Sequence, residues 1–179
     1  EELRRLAADL GQKATALLGG VDFLAGMGLD PTRAMQLIAP IGKTATAYRA
    51  SIEDLAKAGY AYAFIDTPPA ITESIRAVVA QADFVLIPTR PSPHDLRAVG
   101  RTVELAADAK RPFAFAVTQA KPNTRLTVQA MGALSEHGVV ASAVIHDRVD
   151  YAASMIDGRT VVETDPQGRS AAEIIELWF

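Results

Sequence analysis

The chain has 179 residues, which is enough for about one domain with a sizeable hydrophobic core. Hydrophobic residues make up 49% of the chain and charged residues 22%, an ordinary balance for a globular protein that excludes intrinsic disorder. The absence of cysteine excludes disulfides, thiolate catalysis and cysteine zinc sites, and the net charge of −3 argues against a protein whose main task is to neutralise phosphates.

Hydropathy and the first residues bear on membrane association. No apolar run approaches the ~20 residues that a membrane-spanning helix needs. The segment Glu1–Arg5 has the mixed charge of a helix start and not the pattern of a signal peptide. We therefore expect a cytoplasmic protein that has no membrane partner.

Residues 1–34 differ in pattern from the rest of the chain. Leucines at helical spacing predict a helix that ends at Gly19-Gly20, and a short apolar run, Val21–Met27, is followed by a turn. We expect an atypical helical N-terminal segment here, and a regular portion from 35 to 179. The sequence shows no linker, so a single α/β domain spanning residues 1–179 is predicted.

From about residue 35 onward, short apolar runs alternate with amphipathic helical patterns. Strands are predicted at 60–65, 84–88, 113–118 and 139–145, and helices at 44–57, 71–81, 94–109, 126–137, 151–156 and from Ser170. The apolar runs do not alternate with polar residues, which is typical of strands buried on both faces. The predicted fold class is α/β, doubly wound, with a mostly parallel sheet and helices on both faces.

Asp66 follows the first of these predicted strands directly. Ligands of open parallel sheets bind at the carboxyl ends of the strands, and in nucleotide hydrolases a carboxylate at this place holds magnesium. The alternative is that Asp66 only starts the next helix, because the prolines of Thr67-Pro68-Pro69 fix φ and need no amide partner. The chemistry of the residues leaves both interpretations open.

Three segments resemble one known family in order and spacing. Tyr62–Pro69 is similar to the Walker B strand and switch II of ParA and MinD proteins. Ala82–Leu96 resembles the next strand of that family and its proline-rich loop into a helix. Val149–Glu163 is similar to the C-terminal stretch of the small plasmid ParA (ParF-like) proteins. The resemblance covers residues 35–179 and implies a P-loop NTPase-like fold.

The resemblance also implies a function, cofactors and partners. Members of this family are ATPases of plasmid or chromosome partition that use ATP and Mg²⁺, form homodimers, bind nonspecific DNA and meet a centromere-binding partner protein. Carried over by position, Asp66 is the catalytic carboxylate and magnesium ligand, acting through water. Thr67, Pro68 and Pro69 form the switch segment.

Two further pairs of residues are candidates by position. In this family, the loops after the last two strands bind adenine. At the corresponding positions of this chain, Gln119 could hydrogen-bond a base and Arg148 could stack on one. Ordinary loop polarity is the alternative for both. Arg97 and Arg101 share one helix face and are candidates for contacts to DNA phosphates. Dispersed charge on a solvated face is the alternative for this pair.

The chain departs from the family at the phosphate loop. Its Gly-Lys-Thr, at Gly42-Lys43-Thr44, follows Leu37-Ile38-Ala39 and Pro40, where the family has Lys-Gly-Gly. A glycine-free loop containing proline cannot offer the nest of backbone amides that cradles phosphates. We interpret Gly42-Lys43-Thr44 as a helix start with Thr44 near the cap, and expect no recognisable Walker A segment, first strand or following strand.

Because the phosphate loop departs from the family pattern, three functional hypotheses remain. The first is a ParA-like partition protein with a degenerate or missing phosphate loop, in which ATP binding is doubtful. The second is a non-hydrolysing ParA-fold interaction module. The third, a MinD-like positioning ATPase, is disfavoured because Glu173–Phe179 has no basic face for a membrane surface.

Overall fold

A computed structural model describes residues 34–38, 45–60, 62–67 and 72–178. In chain order the elements are β1 (Ala34–Ile38), α1 (Ala45–Lys57), β2 (Tyr62–Asp66), α2 (Glu73–Val79), β3 (Val85–Thr89), α3 (Pro93–Asp108), β4 (Phe113–Ala120), α4 (Arg125–Ser135), β5 (Val139–His146), α5 (Val149–Ser154), a 3-10 turn (Met155–Asp157), α6 (Val161–Thr164) and α7 (Arg169–Trp178). The predicted helix, turn and apolar run within residues 1–33 lie outside the described residues, as do Pro68 and Pro69.

Local sequence signals explain where the helices begin. Thr72 caps α2 by accepting a hydrogen bond from the amide of Ile75 at 3.4 Å. Ser92 caps α3 in the same way, and Pro93 occupies the first turn, where no amide partner is needed. The helix predicted to start near Thr44 begins at Ala45, so that prediction is confirmed in position. No described helix combines the length and the apolar content required to cross a bilayer.

The chain divides into two compact units, which are described separately. One unit comprises residues 1–38, 52–66 and 148–172, and the other 39–51, 67–147 and 173–179. The strands are parallel in both units, and helices connect them along the chain. The predicted α/β class with a mostly parallel sheet is therefore confirmed. The single domain spanning residues 1–179 stays a prediction.

The first unit contains the parallel pair β1–β2. The register runs from Ala34 opposite Tyr62 to Ile38 opposite Asp66, so both strands end at the same edge. The strand β1 corrects one expectation, because the sequence had shown only a short apolar run before the strand that ends at Asp66. In the same unit Val161 and Val162 of α6 are buried.

The second unit contains the parallel sheet β3-β4-β5, with β4 in the middle. Its core consists of Ile87, Val99, Phe115, Val117, Ala120 and Leu134. Val99 belongs to α3 and Leu134 to α4, so both helices pack against the strand face that presents Phe115. The rings of Phe113 and Phe115 meet edge to face, with centroids 5.5 Å apart.

The outer edge of β3 has no strand beside it among the described residues. The amide of Val85 donates to the carbonyl of Pro112 at 3.0 Å, so alternate residues from Val85 turn their backbone toward β4. The backbone amide and carbonyl groups of Leu86 and Pro88 therefore point away from β4. Proline has no amide hydrogen, so Pro88 leaves no donor unpaired at this edge. Phe84 and Leu86 remain 54% and 48% exposed beside this edge.

Replacing Phe115 by alanine tests the core of the second unit. The side chain is fully buried, so we expect a loss of about 3–5 kcal/mol in the free energy of unfolding, measured by urea denaturation. The matched control is Phe84→Ala, a phenylalanine that is 54% exposed, for which about 1 kcal/mol or less is expected. Equal losses for the two variants would contradict this description of the core.

Candidate functional site

Asp66 lies at the carboxyl edge of the β1–β2 pair. It is the last residue of β2, opposite Ile38 at the end of β1, and both Asp66 and the following Thr67 are exposed. Carboxylate oxygens are ligands that magnesium accepts, directly or through water. No cluster of three or more acidic or histidine side chains suited to a metal occurs in the described part of the chain. Among the residues that the structure describes, Asp66 therefore fits a magnesium site as a single carboxylate, with water or ligand oxygens as the other donors.

The phosphate groups of a nucleotide fit the chain less well. A phosphate cradle needs consecutive amides in a glycine-rich loop, and residues 37–41 contain no glycine and one proline. Residues 39–44 join the end of β1 to the start of α1 along the chain. The composition of residues 37–41 therefore does not fit a phosphate cradle.

Gln119 lies at the carboxyl edge of the sheet in the second unit, in a distorted part of β4. The pairing of β4 with β5 shifts register between Val117 and Ala120, and Gln119 has a φ of 52°. A residue other than glycine in this region costs on the order of 1–3 kcal/mol, and such strain is concentrated at functional sites. The bulge leaves the Gln119 side chain exposed beyond the sheet, where it can reach a ligand.

Hydrogen bonds tie the loops after β4 and β5 together. The amide of Asp147 donates to the carbonyl of Ala120 at 2.9 Å, and Lys121 Nζ lies 2.6 Å from Asp147 Oδ2. Glu173 of α7 accepts a hydrogen bond from the amide of His146 at 3.0 Å and lies 2.8 Å from its Nδ1. The His146–Glu173 contact could not be predicted from the sequence, because the two residues are 27 positions apart and belong to no recognisable pattern.

Arg148 occupies the N-cap position of α5 with an extended backbone and is half-buried. It belongs to the first unit, whereas Gln119 belongs to the second, and Asp66 and Thr67 are likewise divided between the two. Each predicted nucleotide contact is thus placed within its own unit. Their convergence on one nucleotide stays a prediction.

The loop from β3 into α3 is stabilised by a compact set of polar contacts. Arg90 donates to Asp95 Oδ1 from Nε at 3.2 Å and from its terminal nitrogen at 3.0 Å. The Ser92 hydroxyl also donates to Asp95. These contacts lower the pKa of Asp95, with the hydrogen bond from Ser92 as the largest cause and that from Arg90 second. The carboxylate is therefore held in its charged form, and it fixes the proline-rich loop.

Arg97 and Arg101 lie four residues apart on α3, so their side chains share one helix face. Both are exposed, and neither forms a salt bridge with any residue that the structure describes. Dispersed charge on a solvated face, the alternative for this pair, fits their exposure equally well. Two exposed guanidinium groups on one face can meet adjacent phosphates, but the sequence expectation of DNA binding stays a prediction.

Comparison with known proteins begins with sequence. No protein-family model matches the chain. Over 128 residues, 68% of this chain, it is 29% identical to "maintenance of carboxysome distribution protein A" of Halothiobacillus neapolitanus. The chain spans 59% of the length of this curated relative.

Solved structures resemble the chain more widely. The cell division protein MinD of Aquifex aeolicus superposes with a TM-score of 0.72 and 14% identity, covering 92% of this chain and 89% of MinD. A ParA family ATPase from Chlorobium tepidum superposes with a TM-score of 0.65 and 15% identity, covering 93% of each chain. The resemblance that the sequence predicts is confirmed by these likenesses.

Replacing Gln119 by glycine tests the strained backbone of β4. Glycine adopts a φ of 52° without steric cost, so we expect Gln119→Gly to raise the free energy of unfolding by about 0.5–1 kcal/mol. The matched control is Gln129→Gly on the exposed side of α4, where a helical glycine should lower it by about 1 kcal/mol. Thermal unfolding measures both, and a destabilised Gln119→Gly would show that the side chain contributes more than the strain costs.

Proposed function

We propose that this chain, which has the fold and sequence motifs of ParA/MinD-type proteins, is a ParA-like protein of plasmid or chromosome partition with a degenerate or missing phosphate loop. The observation that carries the proposal is the position of Asp66. It ends a parallel strand at the sheet edge and is followed by Thr67-Pro68-Pro69. An aspartate at that edge lies where open parallel sheets bind ligands.

The residues of the site have distinct proposed roles. Asp66 holds Mg²⁺ through water, and Thr67, Pro68 and Pro69 form the switch segment next to it. Bound Mg²⁺ would supply positive charge to the β- and γ-phosphate oxygens of ATP. Gln119 offers its amide group to a base, and Arg148 offers a guanidinium plane for stacking. Because the chain has no glycine-rich phosphate loop, we expect ATP to bind weakly or not at all.

The cargo and partners follow from the same proposal. A cytoplasmic homodimer that meets a centromere-binding partner and nonspecific DNA fits the sequence resemblance, with Arg97 and Arg101 on the DNA-facing side. The name of the curated relative refers to carboxysome distribution. Distribution of carboxysomes instead of plasmids is therefore the variant of this proposal that the relative favours.

A second candidate function is a non-hydrolysing interaction module. The composition of residues 37–41 favours it, because the parallel sheet is retained while the glycines that would bind phosphate are missing. Such a module would use the sheet as a scaffold for partner binding. A MinD-like positioning ATPase is the other alternative, which the sequence disfavours because Glu173–Phe179 has no basic face, and the likeness to MinD is one of fold alone.

Titration with fluorescent ATP and Mg²⁺ tests the nucleotide site. We expect weak or no binding by the chain and by Asp66→Ala, because phosphate affinity depends on amides that the loop lacks. Asp108→Ala on α3 is the control for loss of an exposed carboxylate. Micromolar binding that is lost in Asp66→Ala and kept in Asp108→Ala would contradict the hypothesis of a degenerate or missing phosphate loop. It would instead support the hypothesis that the chain is an ATPase.

A gel-shift titration at low and high salt tests the DNA-facing side. We expect weak, salt-sensitive binding to nonspecific duplex, with a log–log salt slope that falls by about 2 in the double variant Arg97→Ala/Arg101→Ala, one for each phosphate contact. The control is Lys57→Ala/Arg76→Ala, which removes two cations that already pair with Asp54 and Glu73. Equal salt slopes for the two double variants would show that Arg97 and Arg101 do not contact DNA phosphates.

A further inference from the structure

The turn between α5 and α6 contains the only Asp-Gly pair of the chain, Asp157-Gly158, and the sequence has no Asn-Gly pair. Asp157 ends the 3-10 turn, and Gly158 follows it with a φ of 82°. Glycine has no Cβ to shield its own amide nitrogen, so an aspartate before glycine is especially prone to intramolecular ring closure. The turn is therefore a candidate site for spontaneous modification of the main chain.

This modification requires no reagent other than water. The amide nitrogen of Gly158 bonds to Cγ of Asp157, and the hydroxyl of the protonated carboxyl group leaves as water with the amide proton. Water then opens the resulting succinimide ring at either carbonyl. Opening at the β-carbonyl restores aspartate, whereas opening at the α-carbonyl leaves isoaspartate, in which the main chain runs through the former side-chain carboxyl. One water is released and one is consumed, and no electrons are transferred.

The surroundings of the turn leave it open to this reaction. Met155 and Ile156 are 64% and 88% exposed, so packing of the turn's own apolar side chains does little to hold it. The side chains of Asp157 and Arg159 are 53% and 54% exposed, which gives water access to a ring that forms there. Polar contacts are therefore the features of the turn that can restrain ring closure.

Those contacts engage both reacting groups in the folded chain. Asp157 Oδ1 accepts a hydrogen bond from the Arg159 amide at 3.3 Å, and Oδ2 accepts one from Arg159 Nε at 2.9 Å. The Gly158 amide donates to the carbonyl of Met155 at 3.2 Å. The side-chain hydrogen bond from Arg159 is the largest cause that lowers the pKa of Asp157, so the protonated carboxyl group that reacts is scarce at neutral pH.

We propose that Asp157-Gly158 is the site at which this chain forms isoaspartate, and that Arg159 restrains the reaction in the folded chain. The backbone amide and the guanidinium group of Arg159 together hold both carboxylate oxygens of Asp157. The carboxylate is thereby fixed in position and kept in the charged form, which does not close the ring. Arg159 is thus a protecting residue, and its removal exposes the turn to modification.

Isoaspartate at this position alters the entry to α6. The main chain becomes one carbon longer just before Thr160, whose amide and hydroxyl donate to Glu163 Oε2 at 2.6 and 2.7 Å and cap α6. That helix carries the buried Val161 and Val162, so the modification destabilises the first unit. None of these residues belongs to the proposed nucleotide site, and failure of this inference would leave the proposed function untouched.

Ageing of the full chain at physiological pH and temperature, followed by peptide mapping with electron-transfer fragmentation, tests the proposal. We expect isoaspartate at position 157, and none there in Asp157→Glu, because the larger ring closes slowly. Arg159→Ala should form it about two- to fivefold faster, the range that loss of an exposed ion pair supports. The matched control is Arg76→Ala, which removes an exposed arginine from its pair with Glu73 and should leave the rate unchanged. Isoaspartate mainly at other residues, or equal rates in Arg159→Ala and Arg76→Ala, would overturn the proposal.

The same incubation in urea separates the folded geometry from the local sequence. Unfolding removes the contact of Asp157 with Arg159, so the unsubstituted chain should react faster in urea, at about the same rate as Arg159→Ala. In the folded state Arg159→Lys, which keeps the charge but loses the paired nitrogens, should fall between the two. A rate ratio that persists in urea, or a folded chain that reacts as fast as the unfolded one, would contradict the restraining role of Arg159.

Discussion

Parallel pairing is the constraint on which the placement of every candidate residue depends. Strands that run in one direction end at one edge, so the loops that follow them are brought to that edge. In the first unit the β1–β2 register ends with Ile38 opposite Asp66, and in the second β4 and β5 end with Ala120 opposite His146. The polar candidates lie at these strand ends, with Asp66 as the last residue of β2 and Gln119 one residue before the end of β4.

In the second unit, side-chain contacts hold the loops at the carboxyl edge of the sheet. A loop at the end of a strand has no ladder to hold it, so its geometry depends on side-chain contacts from outside the sheet. Glu173 supplies two contacts to His146, and Lys121 supplies one to Asp147. Gln119 keeps a backbone conformation that is strained for its residue type between these fixed points. An edge that combines strain with rigid support is suited to selective binding, which supports the proposed role of Gln119.

The sequence predicted the alternation of strands and helices because buried parallel strands are apolar runs and the helices between them are amphipathic. It did not predict α6, a single turn held by the reciprocal contacts of Thr160 and Glu163, since one turn has no hydrophobic period. The register shift at Gln119 and the contact of His146 with Glu173 were also missed, because both depend on packing between distant parts of the chain. Asp66 and Gln119 lie at strand ends and Arg148 at a helix cap, and their role in one nucleotide site stays a prediction.

The parallel strands are present in this chain, whereas residues 37–41 lack the glycines of a phosphate loop. The central claim is that Asp66 nonetheless marks a cation site at the end of β2. Paramagnetic broadening of amide NMR signals by Mn²⁺, a substitute for Mg²⁺, tests it most directly. The account predicts selective broadening at Ile65, Asp66 and Thr67 that disappears in Asp66→Asn. Broadening centred elsewhere, or unchanged in Asp66→Asn, would contradict it.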